Sequence, residues 1–348
     1  MQETGYASVG EFHYLHHQPN GNTYADLGEL SARIAAAAAT TGIGLTHLPV
    51  LYSYGGAGQV PLQAGQARFG NSVDDFNLLV ARAKEVVAEL PADCLVGIAP
   101  HSLRATSPDD LSAVLAAHPA GPVHIHIAEQ PKEVADITAW LGARPVEWLL
   151  ANTDVTERWC LIHATHMTAH ETVQMARSGA VAGLCPVTEA NLGDGPFNGP
   201  AYLAANGAFG VGSDSNVLIS LTEELRTLEY SQRLRDIARN VMVVAEGSVG
   251  ETLYLGAAHG GAQALGRGGG DIAVGELADL VAIDSTTPAL CALRQDQILD
   301  GLLFAAKDTV VTDVWSAGRH AVKSGRHIRR NEITAAYRVA MQSLMSLL

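Results

Sequence analysis

A chain of 348 residues, 47% of them hydrophobic, can bury a large core, and a barrel of roughly 250 residues fits inside it. Its formal net charge of -14 argues against nucleic acid, whose phosphates need clustered Lys and Arg. No run of about 18 apolar residues offers a membrane span, and Met1-Gln2-Glu3-Thr4-Gly5 lacks the basic and apolar stretches of a secretory leader, so a cytoplasmic protein is expected.

Short apolar runs alternate with longer amphipathic ones through residue 240. Strands are expected over residues 7–12, 43–51, 95–100, 123–127, 160–163, 180–184 and 209–212. Helical patterns separate them at 27–41, 73–89, 108–117, 131–140, 169–177 and 201–205. Such alternation implies parallel pairing, because a parallel connection needs a crossover. The count is seven strands, one short of a closed (β/α)8 barrel. Two longer helices follow, at 221–238 and 249–264. The pattern then changes: Gly275-Glu276-Leu277-Ala278-Asp279 reads as a turn into a strand, and residues 310–323 read as a hairpin. Residues 1–265 are therefore expected to form a barrel and 266–330 a small β-sandwich remnant. A final helix within 331–348 is expected to pack on the outside. The four cysteines, Cys94, Cys160, Cys185 and Cys291, lie far apart in or beside apolar runs, as buried free thiols would.

Chemistry concentrates where apolar runs stop. Val123-His124-Ile125-His126-Ile127-Ala128-Glu129 runs a strand into a histidine, with a carboxylate three residues later. His163 closes the 160–163 strand, and Asp214 follows the 209–212 strand. Polar groups at the carboxyl ends of several parallel strands are how a barrel enzyme builds its site. His126 suits a metal ligand, Glu129 a proton shuttle, and Asp214 a ligand that also accepts a proton from water. Each has a plainer alternative: a buried histidine bonded to a carbonyl, a helix-capping glutamate, an N-cap aspartate. Their combination on separate strands favours a metal-assisted hydrolase. His163, next to its apolar run, is expected in the barrel mouth, with His166 set further back. Arg104, in Pro100-His101-Ser102-Leu103-Arg104, offers a fork matched to a carboxylate, or else a surface ion pair. His13, His16 and His17 read as substrate contacts or loop packing.

Together Gly10-Glu11-Phe12-His13-Tyr14-Leu15-His16-His17, Ala99–Ala105, His124–Gln130 and Cys185–Gly195 resemble the formimidoylglutamate deiminase family of the amidohydrolase superfamily. The resemblance runs from about residue 5 to the Gly325-Arg326-His327 segment. It implies an α/β, TIM-type amidohydrolase barrel hydrolysing N-formimino-L-glutamate to N-formyl-L-glutamate and ammonia, on one divalent metal, usually zinc, in histidine degradation. By motif, His126 and Asp214 match metal ligands, Glu129 the acid/base, and His163 the histidine that orients or polarises at the reacting centre. Tyr14, His101 and Arg104 match residues holding the glutamate portion. A homodimer is expected from the family. The family's first strand carries a His-x-His pair that supplies two further metal ligands. This chain opens at what would be the second strand, so a barrel lacking strand one, truncated at its N-terminus, is expected. Asn216 stands where the family would show histidine. The rival expectations are an imidazolonepropionase or purine-type deaminase, and a metal-free remnant without activity.

Overall fold

The computed structural model describes residues 1–244 and 247–347. The chain opens with β1 (Ser8–His13), α1 (Glu29–Thr41), β2 (Gly44–Leu51) and α2 (Val73–Val87). The third strand breaks at Gly97-Ile98 into β3 (Leu95–Val96) and β4 (Ala99–Pro100), and α3 (Pro108–Ala117) follows. A β-carbon on Gly97 would lie 2.6 Å from the Pro122 carbonyl oxygen, so only glycine lets the strands pass here. Next come β5 (Val123–Ile127), α4 (Pro131–Leu141), α5 (Pro145–Asn152), β6 (Trp159–His163) and α6 (Ala169–Arg177). The series ends with β7 (Val181–Leu184), α7 (Pro186–Leu192), α8 (Gly199–Ala204), β8 (Ala208–Val211), α9 (Leu221–Asp236) and α10 (Val249–Ala264).

Local chemistry explains the helix starts. Ser72, Ser107, Thr168, Ser220 and Ser248 each accept a first-turn amide through the side chain. Pro145 and Pro186 begin α5 and α7, two helices that the apolar periodicity does not reveal. A first-turn proline loses no hydrogen bond, because that amide has no partner within the helix.

All the barrel strands pair in parallel. β1 runs beside β2 from Ser8↔Gly44 to His13↔Pro49, and β2 pairs with β3 and β4. The bridges Ile98↔Val123 and Ser102↔His126 join this sheet to β5, which continues through β6 and β7 to β8. Seven strands thus form one arc, and among the described residues β8 and β1 are not hydrogen-bonded to each other. Helix α10 lies hard against β8: a β-carbon on Gly260 would overlap the Phe209 carbonyl. Below it, Leu265 approaches Gly10, its carbonyl accepting from Thr46 Oγ1 at 2.8 Å, and the Ala264 carbonyl accepts from His124 Nε2 at 2.7 Å.

The arc divides the core. Ile125, Ile127, Leu161, Ala182 and Phe209 face the helices and join Phe76, Leu79 and Val80 of α2. Each such side chain larger than alanine contributes about 1.5–3 kcal/mol on burial. Cys160, Ile162, Val181 and Cys185 fill the inner side with Ala264, while Phe12 touches both these and Leu48 and Val50. Cys291 corrects the expectation of buried thiols: it is exposed, in a loop beyond the barrel.

The remaining strands, β9 (Leu280–Ile283), β10 (Val311–Ser316), β11 (Arg319–Lys323) and β12 (Arg326–His327), form one antiparallel sheet in the order β12-β11-β10-β9. Helix α11 (Gln297–Phe304) precedes β10 and packs on α9 and α10. The last helix, α12 (Arg330–Met345), has no buried residue, so it does not pack on the body as expected. No helix among the described residues is long and apolar enough to cross a membrane.

An ion network fastens this sheet to the barrel. Arg319 grips Asp93 with two nitrogens at 2.6 and 2.7 Å, Arg267 reaches the same carboxylate at 3.0 Å, and Arg267 also reaches Asp279 at 3.2 Å. The Arg267 and Asp93 side chains are buried. Breaking such a pair strands a charge in low dielectric. Asp93→Ala is therefore expected to lower unfolding stability by about 3–5 kcal/mol, read as a shift of the urea midpoint.

A second buried polar group lies between β1, β2 and α1. The His13 ring is 5.3 Å from His16 and 5.2 Å from His47, His16 Nε2 donates to the Val50 carbonyl at 3.0 Å, and His47 Nε2 meets Ser31 Oγ at 2.9 Å. His17 Nε2 lies 3.0 Å from the Gly70 carbonyl. These histidines are packing, as the loop reading anticipates. Among the described residues the carboxylate near His13 is that of Glu11, 4.0 Å away. Burial pushes His13 down to about 4, and His16 and His47 down to about 3. The unfolded chain takes up these protons near 6.5, so the stability they contribute is complete above that pH. It is lost as the pH falls toward 4 and then 3, by up to about 1.4 kcal/mol per pH unit for each histidine. Urea midpoints measured down this range should fall steeply, and His47→Gln should flatten the slope.

Candidate active site

Three strand ends converge, and each turns through a left-handed residue that is not glycine. Ala128 (φ 50°) follows β5, His163 (φ 66°) and Ala164 (φ 48°) end β6, and Asp214 (φ 47°) follows β8. Such residues cost roughly 1–3 kcal/mol each and persist only where the surroundings impose them. Here the constraint is visible. The buried Glu133 carboxylate accepts the amides of Ala128 and Glu129 at 3.1 and 2.9 Å, and the Ala164 amide bonds the Ile127 carbonyl at 3.0 Å.

The turn at His163 decides where its side chain goes. Leu161 packs toward the helices and Ile162 toward the inner side, so strict alternation would send His163 outward with Leu161. The left-handed backbone swings it inward instead. Its ring stacks 5.4 Å from that of His126, and its Nε2 lies 3.8 Å from Glu129 Oε1 and 3.9 Å from Asp214 Oδ2. Its Nδ1 bonds Glu189 Oε1 at 3.1 Å.

His126 Nδ1 lies 3.1 Å from the His101 carbonyl. A carbonyl only accepts, so Nδ1 carries the hydrogen and Nε2 keeps a free lone pair, the arrangement of a ligating imidazole. Burial first, then neighbouring His101, His163 and Arg104, hold His126 well below the ordinary histidine range. Burial pushes the Asp214 carboxyl up, Glu129 and Asp194 adding to it against the opposing pull of His163. For His163, burial opposes charge, but the Glu189 hydrogen bond and the Glu189, Glu129 and Asp214 carboxylates outweigh it and raise its pKa.

Arg104 is an internal group. One of its terminal nitrogens donates to Glu129 Oε2 at 2.8 Å, while its buried Nε has no hydrogen-bond partner and sits 3.9 Å from Glu133. An aromatic wall adjoins it: Tyr52 lies 4.5 Å from His101 and Tyr14 4.9 Å from Phe69, ring centre to ring centre. Phe12 stands edge-on 4.4 Å from His126.

The structure thus brings Tyr14, His101, Arg104, His126, Glu129, His163 and Asp214 together; His126 does bond a carbonyl, as its plainer alternative holds, while the capping alternatives for Asp214 and Glu129 fall. Ser220, not Asp214, caps the helix after β8. Glu133, not Glu129, binds the turn amides ahead of α4. His166 stays outside the centre, its amide bonding the Ala128 carbonyl at 2.9 Å. Sequence reasoning missed Glu133, Glu189, Tyr52 and Phe69. Glu189 at least lies in the polar segment after β7, four residues past Cys185.

The fit to a metal is partial. His126 Nε2 and Asp214 suit a divalent ion in kind, but catalytic zinc normally takes three protein ligands. Among the described residues no three His, Cys, Asp or Glu side chains are placed to hold a metal ion together.

The amidohydrolase family model matches residues 6–321. A formimidoylglutamate deiminase of Pseudomonas aeruginosa is 50% identical over 339 residues, covering 97% of this chain and 74% of that enzyme. A 5-methylthioadenosine/S-adenosylhomocysteine deaminase of Bacillus cereus is 29% identical over 235 residues, 66% of this chain and 52% of that enzyme. The crystal structure of an amidohydrolase from Brucella melitensis superposes with a TM-score of 0.94 at 51% identity, covering 99% of this chain and 76% of that one. An adenosine deaminase from Xanthomonas campestris with bound zinc, 23% identical, shares the fold at a TM-score of 0.79, over 99% of this chain and 73% of that one. With its parallel strands ending in this cluster of histidines and carboxylates, the chain belongs to the amidohydrolase family, among the formimidoylglutamate deiminases.

Proposed function

We propose that this chain hydrolyses N-formimino-L-glutamate to N-formyl-L-glutamate and ammonia, a step of histidine degradation. The observation that carries this reading is the position of Arg104, a carboxylate-binding fork 2.8 Å from the acid/base candidate Glu129. A substrate held there by its glutamyl carboxylates sets its linear amidine among Glu129, His163 and Asp214. Bare purines bring no carboxylate to that fork, and an imidazolone ring cannot bend as a linear chain does.

Each residue then has a task. Arg104, with Tyr14 and His101, binds the glutamyl group. In the free chain Arg104 occupies one oxygen of Glu129, and its bare Nε awaits an acceptor. An arriving substrate carboxylate exchanges for Glu129 and releases it. Glu129 takes a proton from the attacking water, whose oxygen bonds to the amidine carbon. It passes that proton to the imino nitrogen, and the proton of the new hydroxyl follows by the same carboxylate, so that the C=O bond forms as the carbon–nitrogen bond breaks and ammonia leaves. His163 Nε2 faces the reacting carbon and polarises its nitrogen, while Asp214 orients the water. His126 and Asp214 would hold one divalent ion, zinc by donor type, which when bound supplies Lewis acidity toward that water. The reading places the enzyme in the cytoplasm, as a homodimer acting on a small molecule.

The first test is ammonia release from N-formimino-L-glutamate, with and without added zinc. Glu129→Gln should lower kcat by roughly 10²–10⁴-fold with KM little changed. Arg104→Met should raise KM by roughly 10–100-fold, since hydrogen bonds to charged groups are worth about 1.5–3 kcal/mol. Formamidine hydrolysed as well as the glutamyl substrate would sink the role of Arg104. With two protein donors, the chain should hold less than one equivalent of zinc after dialysis; a full equivalent retained would mean that another donor completes the site.

A further inference from the structure

Glu189 stands at the centre of the site yet has no task in the reaction as derived. We infer that Glu189 is a positioning residue, fixing which nitrogen of His163 faces the reacting carbon. The contact is direct, His163 Nδ1 to Glu189 Oε1 at 3.1 Å, between side chains that are each almost wholly buried. A carboxylate only accepts, so Nδ1 carries the hydrogen. That leaves Nε2, itself buried and without a hydrogen-bond partner, as the nitrogen turned toward Glu129 and Asp214.

Glu189 is itself held rigid. The same Oε1 accepts the Cys185 amide at 2.9 Å, across the start of α7. The next amide along, Val187, is bound by the buried Glu224 at 2.9 Å, and Thr188 Oγ1 donates to the Ser213 carbonyl at 2.9 Å, one residue before Asp214. Helix α7 thereby ties the ends of β6, β7 and β8, and Glu189 transmits that rigidity to the imidazole. This is the logic by which a buried acid orients a working histidine.

The inference deepens the deiminase reading and rests on it for its rate measurements alone. Glu189→Ala should lower kcat by roughly 10–100-fold, the usual effect of removing an outer partner, with KM little changed. Glu189→Gln keeps an acceptor oxygen and should recover most of the loss. On a His163→Ala background, Glu189→Ala should cost nothing more; additive losses would show that Glu189 acts elsewhere. Nitrogen-15 spectra of the imidazoles, with His163 assigned by its own substitution, give a readout free of turnover. A protonated Nδ1 whose signal changes in Glu189→Gln and Glu189→Ala supports the inference. An unprotonated Nδ1, or a signal unmoved by either substitution, overturns it. Were the unaltered chain to release no ammonia, the substrate reading would fall while these spectra still decided the role of Glu189.

Discussion

The site depends on one constraint, the register between β5 and β6 together with the backbone reversal that ends β6. His126 lies opposite Ile162, and Ile127 opposite His163. A slip of one residue would turn each inward side chain to the other face. Even in register, His163 would leave the centre without its left-handed φ of 66°. Parallel pairing and a strained turn, neither sufficient alone, stack the two imidazoles and aim Nε2 at the acids. Strain of this kind is stored where surrounding structure over-determines the backbone. Here the tie is short, the Ala164 amide on the Ile127 carbonyl of the neighbouring strand.

Around that pair the carboxylates divide their labour. Glu129 and Asp214 face the open centre, while Glu133 and Glu189 are spent on holding other groups: turn amides in one case, an imidazole in the other. Buried acids are costly unless hydrogen-bonded, and both of these are. His126, kept neutral by burial, retains a lone pair among so many negative charges. Arg104, a permanent cation beside them, neutralises Glu129 in the free chain, and an anionic substrate must compete with Glu129 for it.

Much of this was legible in the sequence, for stated reasons. Period-two and period-3.6 patterns placed β5, α3, α6 and α10 to the residue, and the count of seven parallel strands stands. The convergence of His126, Glu129, His163 and Asp214 followed from each sitting where an apolar run stops. That His163 points into the barrel mouth was legible from its place at the end of an apolar run; the left-handed turn that puts it there, against strict alternation, was not. Nor were the holding roles of Glu133 and Glu189, which consist of contacts with backbone that the fold brings near. Helices α5 and α7 were not legible: both are short, eight and seven residues, and the polar stretch after Cys185 reads as a loop. The isolation of α12 escaped as well: its apolar spacing promised a packing surface, yet Tyr337, Val339 and Leu344 remain mostly exposed.

Helix α10 shows how tightly the parts are joined. Gly266 and Arg267 close its last turn locally on the Gln263 and Ala262 carbonyls, but the two carbonyls beyond, of Ala264 and Leu265, find their donors in His124 and Thr46, 140 and 219 positions away. The contacts that close the floor of the barrel are therefore among its most non-local, of the kind that slows folding. Once formed, they couple the end of α10 to β2 and β5 in the folded state.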